Sequence, residues 1–370
     1  MLSRPVDFMG YALSLAELAL GYTSPNPAVG AVVVQDGLVV GLGHTQPPGS
    51  AHAEVMALQQ ASDRARGATM YVTLEPCCFQ GRTPACTKAI IDAGISEIHM
   101  ALLDPNPLVA GKGLRELNEA GIKTVVGEYQ EKARETNEGY IKFITTGVPF
   151  VIAKFAMSLD GKIATQKGDS KWISGEGSRN FVHHLRHTVD AIMVGAGTVI
   201  ADDPQLSARG CSGKAGKTKL QPLRVIVDGE GRTPLSARLF KEPGRTLITV
   251  SKPFDTKKVS DFKKAGAEVV ELSAEQGMID LIELLNVLGK RQVTSILVEG
   301  GSKLFGSLFD RGLVDKVLAF ISPIIIGGDE AKSAVGGNGV DKVAQAFHLS
   351  RVKVSEFGED VLISGYLGGK

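Results

Sequence analysis

The sequence predicts a two-domain α/β protein, and three observations support this prediction. The chain has 370 residues, a length that favours two or three domains over one. Short apolar segments of strand type alternate with segments of helical periodicity along both halves, as in sheets that are covered by helices. Gly147-Val148-Pro149 interrupts this alternation, so we expect one domain over residues 1–146 and a second over residues 147–370.

Apolar spacing, helix caps and turn residues place the elements of the first half. Ala12, Leu13 and Ala16 recur at helical spacing, and Asp36-Gly37 is a hairpin turn signal. The expected order is helix 7–20, strands 31–34 and 38–41, helix 51–66 with Ser50 as its cap, strand 69–74, a helix opening at Thr83-Pro84, strand 98–103, helix 112–120, strand 122–126 and helix 131–143. This order predicts a three-layer α/β/α domain with helices on both faces of one sheet.

The second half repeats the alternation and ends in a different pattern. We expect strands 150–158, 191–194, 224–228, 246–250, 268–272, 293–298 and 317–321, with helices 257–265, 278–288 and 302–310. The last two strands, 352–357 and 361–366, flank Gly358-Glu359-Asp360 and should pair antiparallel.

Composition restricts the classes of partner. The formal net charge is +1 and aromatic residues make up 6% of the chain, so neither a basic stripe nor an aromatic platform for nucleic acid is expected. No apolar run is long enough to span a bilayer, and the first ten residues lack an apolar signal core. Three of the four cysteines lie close together, which favours metal binding in a reducing compartment, and we expect a cytoplasmic protein.

One constellation in the first half has the composition of a catalytic zinc site. His52, Cys77 and Cys86 supply an imidazole and two thiols, which leaves a fourth zinc position for water, while Glu54 can move protons. An H-x-E motif followed by P-C…C is typical of zinc-dependent deaminases, although their two cysteines usually have two residues between them and here there are eight. The alternative is a closed structural zinc site with Cys78 as fourth ligand.

Two glycine turns in the second half are candidates for phosphate binding. Gly195-Ala196-Gly197-Thr198 follows a strand but lacks the third glycine of a dinucleotide fingerprint. Glu299-Gly300-Gly301-Ser302 joins a strand to a helix N-terminus, an arrangement that binds phosphate in many proteins. Such turns also occur for tight packing alone.

The ordered motifs of the first half resemble the deaminase half of the bifunctional deaminase–reductase of riboflavin biosynthesis. These motifs are Pro25-Asn26-Pro27-x-Val29-Gly30, Gly43-His44, His52-Ala53-Glu54, Thr73-Leu74-Glu75-Pro76-Cys77, Gly81-Arg82-Thr83-Pro84 and Asp104-Pro105-Asn106-Pro107. The resemblance implies a cytidine-deaminase-like domain in which Asn26 and His44 hold the pyrimidine and Arg82 helps to hold the ribose phosphate. It also accounts for the long spacing between the cysteines. Phe79 departs from the family, which usually has histidine there.

The motifs of the second half resemble the reductase half of the same family, which is similar to dihydrofolate reductase in fold. They are Lys154-x-Ala156-x-Ser158-Leu159-Asp160-Gly161-Lys162, Ser170-x-Trp172-Ile173, Val194-Gly195-x-Gly197-Thr198-x-x-x-Asp202-Asp203-Pro204-x-Leu206 and Glu299-Gly300-Gly301. The resemblance implies NADPH contacts at Ala156, Trp172, Thr198, Asp202, Gly301, Ser302, Lys303, Leu304, Phe305, Gly306 and Ser307. It implies substrate contacts at Lys154, Ser170, Arg186, Leu206, Arg209 and Glu299.

The expected function is therefore a two-step conversion of one small phosphorylated pyrimidine. By resemblance, the first domain would use one Zn²⁺ to hydrolyse the 2-amino group of 2,5-diamino-6-(5-phosphoribosylamino)pyrimidin-4(3H)-one, and the second would use NADPH to reduce the ribosyl group to ribityl. We expect neither nucleic-acid nor membrane partners. We also expect the chain to form a homo-oligomer, and a dimer is the expected form. Two alternatives stay open: a reductase with a weakened deaminase domain, and a nucleic-acid-editing deaminase with an accessory domain.

Overall fold

The computed structural model describes residues 6–81, 84–209, 221–275 and 277–368. The chain forms two compact units, one ending at Gly147 and the other beginning at Val148. Each unit combines helices with one large sheet, so the α/β class predicted from the sequence is confirmed. Within the described ranges, no helix is long and apolar enough to cross a membrane.

The first unit is built on a five-stranded sheet in the order β2-β1-β3-β4-β5. Strand β1 runs antiparallel to β2 and β3, whereas β3, β4 and β5 are parallel. The elements are α1 Phe8–Glu17, β1 Gly30–Gln35, β2 Leu38–His44, α2 Ala53–Ala61, β3 Thr69–Val72, α3 Cys86–Asp92, β4 Glu97–Met100, α4 Lys112–Glu119, β5 Lys123–Val126, α5 Gln130–Thr136 and α6 Glu138–Thr146.

Glycines bring helices α1 and α2 into backbone contact with the sheet. A Cβ on Gly30 would lie 1.9 Å from the Ala12 carbonyl oxygen of α1, and a Cβ on Gly43 would lie 2.0 Å from the Ala53 carbonyl oxygen of α2. Gly43 pairs with Ala31, the neighbour of Gly30, and successive residues of a strand face opposite sides. The two helices therefore cover opposite faces of the sheet, and the start of α2 is held directly against β2.

The structure corrects three helix boundaries of the first unit. Helix α1 ends at Glu17 rather than Leu20. Helix α2 begins at Ala53 instead of Ala51, because the Gln46 amide donates to the Ala51 carbonyl and His52 is extended, with ψ 166°. Helix α3 begins at Cys86 with Ala85 as its N-cap, so the opening predicted at Thr83-Pro84 is wrong; Thr83 itself lies outside the described residues.

The helix predicted over 131–143 is divided in two at Asn137. This residue has φ −112° and ψ 20°, which is outside the helical range and separates α5 from α6. Its side-chain oxygen accepts from the Ala28 amide and its side-chain nitrogen donates to the Ala28 carbonyl. The break thus places a side-chain amide against a segment more than a hundred residues earlier in the chain.

The second unit is built on a nine-stranded sheet in the order β10-β9-β8-β7-β13-β6-β14-β16-β15. Its strands are parallel from β10 to β14, and β16 and β15 are antiparallel as predicted. The nine strands are β6 Phe150–Ser158, β7 Ala191–Gly195, β8 Leu223–Val227, β9 Thr246–Ser251, β10 Ala267–Leu272, β13 Ser295–Val298, β14 Lys316–Ser322, β15 Ser350–Phe357 and β16 Asp360–Tyr366. Strands β11 Ala274–Glu275 and β12 Met278–Ile279 form a separate two-stranded sheet. The helices are α7 Glu176–Arg186, α8 Ala196–Asp202, α9 Thr256–Lys264, α10 Leu281–Lys290 and α11 Ser302–Asp310.

Alternate residues of β6 enter two separate cores. Val151 and Ala153 belong to the core on one face of the sheet, and Phe150 and Ile152 to the core on the other. This double burial explains the continuous apolar sequence of the strand. The carboxyl ends of β7, β13 and β6 lie side by side at one edge, which is where ligands bind in open parallel sheets.

Three helices of the second unit differ from the sequence prediction. Helices α7 and α8 were not predicted, because most residues of α7 are polar and α8 is only seven residues long. The helix predicted over 278–288 begins at Leu281, since the Asp280 carboxylate accepts from the Ile282 and Glu283 amides as an N-cap. Met278 instead lies in the short strand β12.

Candidate metal centre and candidate reductase site

Three predicted metal ligands of the first unit converge on one point. The His52 Nδ1 atom lies 3.6 Å from the Cys77 sulfur and 3.2 Å from the Cys86 sulfur. All three ligand atoms lie within 4.8 Å of one another. His52 is the N-cap of α2, Cys77 follows the end of β3, and Cys86 is the first residue of α3. His52 was predicted in the first turn of α2, and its extended backbone places it one step before the helix.

The spacing of these ligand atoms suits a tetrahedral zinc ion. Zn–S bonds of about 2.3 Å and Zn–N bonds of about 2.0–2.1 Å, at a tetrahedral angle, separate S and N by about 3.6 Å. The observed 3.2 and 3.6 Å are close to that separation. Among the described residues the group contains two sulfurs and one nitrogen, so a fourth ligand position is left for a small molecule.

The contact between the two thiols favours the thiolate form of Cys77. A hydrogen bond from Cys86, supported by the His52 imidazole, lowers the pKa of the Cys77 thiol to about 4. The pKa of the Cys86 thiol is raised, because Cys86 keeps the proton that it donates to Cys77 and is buried. The Cys86 backbone amide also donates to the Cys77 sulfur over 3.4 Å. These contacts thus favour thiolate sulfur, the form that binds metal, at Cys77.

Glu54 is a buried carboxylate beside these ligands. Only 4% of the residue is exposed. Burial is the main reason that its pKa is raised to about 7, and the nearby Cys77 thiolate raises it further. A carboxyl group with a pKa close to neutrality can both accept and donate a proton, as general acid–base catalysis requires.

Cys78 does not complete a closed site. Its sulfur lies 3.9 Å from the Leu108 carbonyl oxygen, and within the described part of the chain it is not a member of the metal-ligand group. The geometry therefore does not support the closed structural zinc site that the sequence left as an alternative.

The residues predicted to hold the pyrimidine lie in a loop and at a strand end of the first unit. Asn26 lies in the loop before β1, where its backbone amide donates to the Thr23 carbonyl, and His44 is the last residue of β2. Phe79 is 37% exposed in the segment between the two ligand cysteines. Arg82, predicted to contact phosphate, lies outside the described residues.

Sequence reasoning missed two buried carboxylates next to the metal centre. The Glu75 side chain accepts from the backbone amides of Asp104, Gly111 and Leu114, and so fastens the start of α4 to the strand end that leads to Cys77. Burial raises the pKa of Asp104 to about 6, and both of its oxygens lie within hydrogen-bonding distance of the Tyr140 hydroxyl. Both residues belong to motifs quoted above, but their burial was not readable from the sequence.

In the second unit, Arg186 and Glu299 form a two-pronged ion pair. Arg186 Nε lies 2.6 Å from one Glu299 oxygen and Arg186 Nη2 lies 2.7 Å from the other. Only 14% of the Arg186 side chain and 6% of the Glu299 side chain are exposed. Arg186 comes from the end of α7 and Glu299 from the end of β13, so the pair lies at the carboxyl edge of the sheet.

The charges around this pair are net positive. Burial alone would raise the pKa of Glu299, but the Arg186 charge and its hydrogen bonds hold that pKa below the usual value, with Lys154 contributing. Burial lowers the pKa of Lys154. Arg186 also donates to the Ser207 carbonyl, which links it to the segment carrying Leu206 and Arg209. Leu206 is buried with a positive φ of 49°, and Arg209 is exposed.

The two glycine turns lie next to each other. A Cβ on Gly300 would be 3.1 Å from the Thr198 hydroxyl, and one on Gly301 would be 3.5 Å from it. Gly301 is the N-cap of α11 and has φ 95°. Since it has no side chain that could accept from the first amides of α11, these amides can bind another partner. Any side chain at either glycine would fill the space between the two turns.

The other predicted cofactor residues, with the predicted substrate residue Ser170, divide into exposed and buried positions. Ser170 donates to Asp202 over 3.1 Å, and Trp172, two residues later, is 72% exposed with the Arg179 guanidinium 4.7 Å from its ring centre. Ala156 lies in β6. Leu304, Phe305 and Gly306 are instead buried in α11, so any contact they make with a ligand would have to come from the backbone; the remaining members, Ser302, Lys303 and Ser307, are at least partly exposed.

Known protein families match both halves of the chain. The model of the cytidine and deoxycytidylate deaminase zinc-binding region matches residues 3–102. The model of the RibD C-terminal domain matches residues 149–363, which is more than half of the chain. These matches confirm the fold class predicted for each half.

Full-length relatives cover nearly the whole chain. The riboflavin biosynthesis protein RibD of Aquifex aeolicus is 43% identical over 97% of this chain and 98% of its own length. The structure of Acinetobacter baumannii RibD, form 1, aligns with a TM-score of 0.86 at 36% identity and 98% coverage of both chains. A Thermotoga maritima structure described as a diaminohydroxyphosphoribosylaminopyrimidine deaminase/5-amino-6-(5-phosphoribosylamino)uracil reductase aligns with a TM-score of 0.83 at 35% identity, again covering 98% of both chains. The chain therefore belongs to the RibD family of riboflavin biosynthesis proteins, with a deaminase zinc-binding region in its first half and a RibD C-terminal domain in its second.

Proposed function

We propose that this chain carries out two consecutive steps of riboflavin biosynthesis on one phosphorylated pyrimidine. The substrate is 2,5-diamino-6-(5-phosphoribosylamino)pyrimidin-4(3H)-one, which is first deaminated and then reduced to the ribityl product. The observation that carries the proposal is the joint presence of the His52–Cys77–Cys86 group with Glu54 in the first unit and the Arg186–Glu299 pair in the second. Family membership supports this function over nucleic-acid editing, as does the near-zero net charge.

In the first unit, His52, Cys77 and Cys86 would hold the zinc ion and Glu54 would move the protons. A bound zinc ion supplies a water molecule that is acidic enough to act as nucleophile near neutral pH. Glu54 would take up a proton from the attacking nucleophile, pass it to the ring nitrogen and then deliver a proton to the departing amine. Asn26 and His44 orient the ring. The products are the ring carbonyl and ammonia, so the water is fully consumed.

In the second unit, side chains would mainly align two reactants. A bound nicotinamide supplies the hydride, which adds to C1 of the ribose in its open imine form, and a proton from solvent completes the amine. The phosphorylated sugar is held by Lys154, Arg186, Ser170, Leu206, Arg209 and Glu299. The N-terminus of α11, which no side chain caps, is the part of the Gly300-Gly301 turn that suits a phosphate of the cofactor. Ala156, Trp172 and Asp202 hold the remainder of the cofactor.

Three finer features belong to the same proposal. We take NADPH to be the reductant and a homodimer to be the working state, with one zinc ion in each chain. Cys77, Cys78 and Cys86 are all free thiols, which supports a reducing compartment, the cytoplasm. Phe79 replaces the usual histidine, so the deaminase step is the one to examine for a weakened activity.

The decisive experiment combines metal analysis with a coupled assay. Purified chain should contain one zinc per chain, release ammonia from the diaminopyrimidine substrate, and oxidise NADPH faster than NADH once that substrate is present. Supplying the deaminated intermediate should allow reduction without ammonia release. NADPH oxidation without release of ammonia from the diamino substrate would contradict the proposal and would indicate a single-activity reductase.

The only tryptophan provides a separate test of the cofactor site. Trp172 is exposed, so a nicotinamide nucleotide that stacks on it should quench its fluorescence in a saturable titration. Stacked aromatic pairs contribute about 0.5–1.5 kcal/mol, so Trp172→Ala should raise the Kd of NADPH roughly two- to tenfold. Phe347→Ala removes another half-exposed ring of this unit and should leave the Kd unchanged. An unaltered Kd in Trp172→Ala would remove Trp172 from the cofactor site.

A further inference from the structure

The loop that carries Asn26 is tied down by a side chain from the far end of the first unit. Asn137 Oδ1 accepts from the Ala28 amide over 2.8 Å, and Asn137 Nδ2 donates to the Ala28 carbonyl over 3.0 Å. The side chain thus pairs with both polar groups of one backbone residue, as a neighbouring strand would. Only 2% of Asn137 is exposed, so water cannot replace these bonds.

Two further side chains continue this pairing along the same segment. The Val29 amide donates to the Thr45 hydroxyl and the Gly30 amide donates to the Thr73 hydroxyl, each over 3.1 Å. Thr45 follows His44, and Thr73 lies four residues before the ligand Cys77. The segment from Ala28 to Gly30 is therefore hydrogen-bonded to two neighbouring segments. One of them follows the predicted pyrimidine-binding His44, and the other leads to the metal ligand Cys77.

The side chain of Asn137 does not cap its own helix, although the residue occupies the N-cap position. Asparagine at a helix N-cap normally accepts a hydrogen bond from the first turn of its own helix. Asn137 occupies the N-cap of α6 but makes no such bond, and its nitrogen reaches the Ala133 carbonyl only as a secondary contact at 3.4 Å. Both of its strong hydrogen bonds go to Ala28, two residues after Asn26.

We propose that Asn137 is a positioning residue of the deaminase site, which fixes the loop through Asn26 in the orientation that binds the pyrimidine. This inference rests on the proposed function, because it takes Asn26 to contact the substrate. Asn137 has no role in metal binding or proton transfer. Its loss should weaken substrate binding much more than it slows the chemical step.

The test measures both activities of the full chain carrying Asn137→Ala or Asn137→Asp. A misplacement of about 1 Å can cost about 10²-fold in rate, so we expect deaminase kcat/KM to fall by about ten- to a hundredfold, mostly through KM. Zinc content and reductase kcat should be unchanged. Hydrogen exchange should accelerate at the Ala28 amide in Asn137→Ala. Asn118→Ala removes an exposed asparagine of the same unit that hydrogen-bonds to Thr124, and it should behave as the unmodified chain.

The aspartate variant keeps the proposal testable if the alanine variant does not fold. Aspartate keeps the volume and the acceptor for the Ala28 amide, but its second oxygen repels the Ala28 carbonyl unless it is protonated. Its deaminase activity relative to the unmodified chain should therefore rise as pH is lowered. Normal KM with faster exchange at Ala28, or equal loss of both activities with loss of zinc, would reduce Asn137 to a structural role. An inactive unmodified deaminase would overturn the proposed function together with this inference.

Discussion

Replacement of Glu54 by glutamine is expected to lower deaminase kcat by about 10²- to 10⁴-fold, the usual contribution of general acid–base catalysis. Glutamine has nearly the same shape but cannot exchange a proton at neutral pH. The buried position and the raised pKa of Glu54 are consistent with a proton-transfer group rather than with a zinc ligand. The measurement is ammonia release per bound zinc, with zinc determined on the same sample.

The control for this variant is Glu119→Gln, which alters an exposed carboxylate at the end of α4 and should leave both activities unchanged. Reductase activity of Glu54→Gln, assayed with the deaminated intermediate, should also stay normal. A zinc-loaded Glu54→Gln protein that released ammonia at the ordinary rate would refute the proton-transfer role.

Replacement of Arg186 by alanine is expected to abolish most reductase activity and to destabilise the second unit. Removal of one partner of a buried ion pair leaves the other charge uncompensated, at a cost of about 3–5 kcal/mol. Here the basic groups left beside Glu299 would be Lys154 and His183, neither of which makes the two-pronged contact of Arg186. Arg186→Lys should retain part of the stability but not the double contact, because an ammonium group has no planar fork. Urea unfolding and steady-state kinetics on the deaminated intermediate measure the two effects.

The exposed pair Arg232–Glu230 supplies a matched comparison for Arg186. Both of its side chains are 59% exposed, so Arg232→Ala should cost at most about 1 kcal/mol and leave the reductase unaffected. Deaminase activity should survive in Arg186→Ala, since its residues lie in the other unit. Equal loss of deaminase and reductase activity in a folded Arg186→Ala protein would contradict two separate sites.

Local sequence was sufficient to predict the metal ligands. His52, Cys77 and Cys86 are recognisable from the H-x-E and P-C…C motifs, and the structure brings these three side chains together. The start of α2 was misplaced by two residues, because the bond between Gln46 and Ala51 that delays the helix is not encoded in capping patterns.

Contacts between distant parts of the chain were out of reach for the same reasoning. Asn137 pairs with Ala28 across 109 residues and Arg186 with Glu299 across 113 residues. Helix α7 escaped prediction because only three of its residues, Phe181, Val182 and Leu185, form the apolar face that packs into the core. The family resemblance identified Arg186 and Glu299 as site residues, but it did not indicate that they bind each other.

The glycine contacts between β2 and α2 imply a strict limit on how the deaminase unit can vary. Real Cβ atoms essentially never come within 3.0 Å of another heavy atom, whereas one on Gly43 would be 2.0 Å from the Ala53 carbonyl, beside His52 and Glu54. Alanine at position 43 would therefore push the start of α2 outward by about 1 Å, a displacement that can cost about 10²-fold in rate. A single methyl group on the strand would therefore displace the proton-transfer carboxylate through the backbone of α2, without touching metal or substrate.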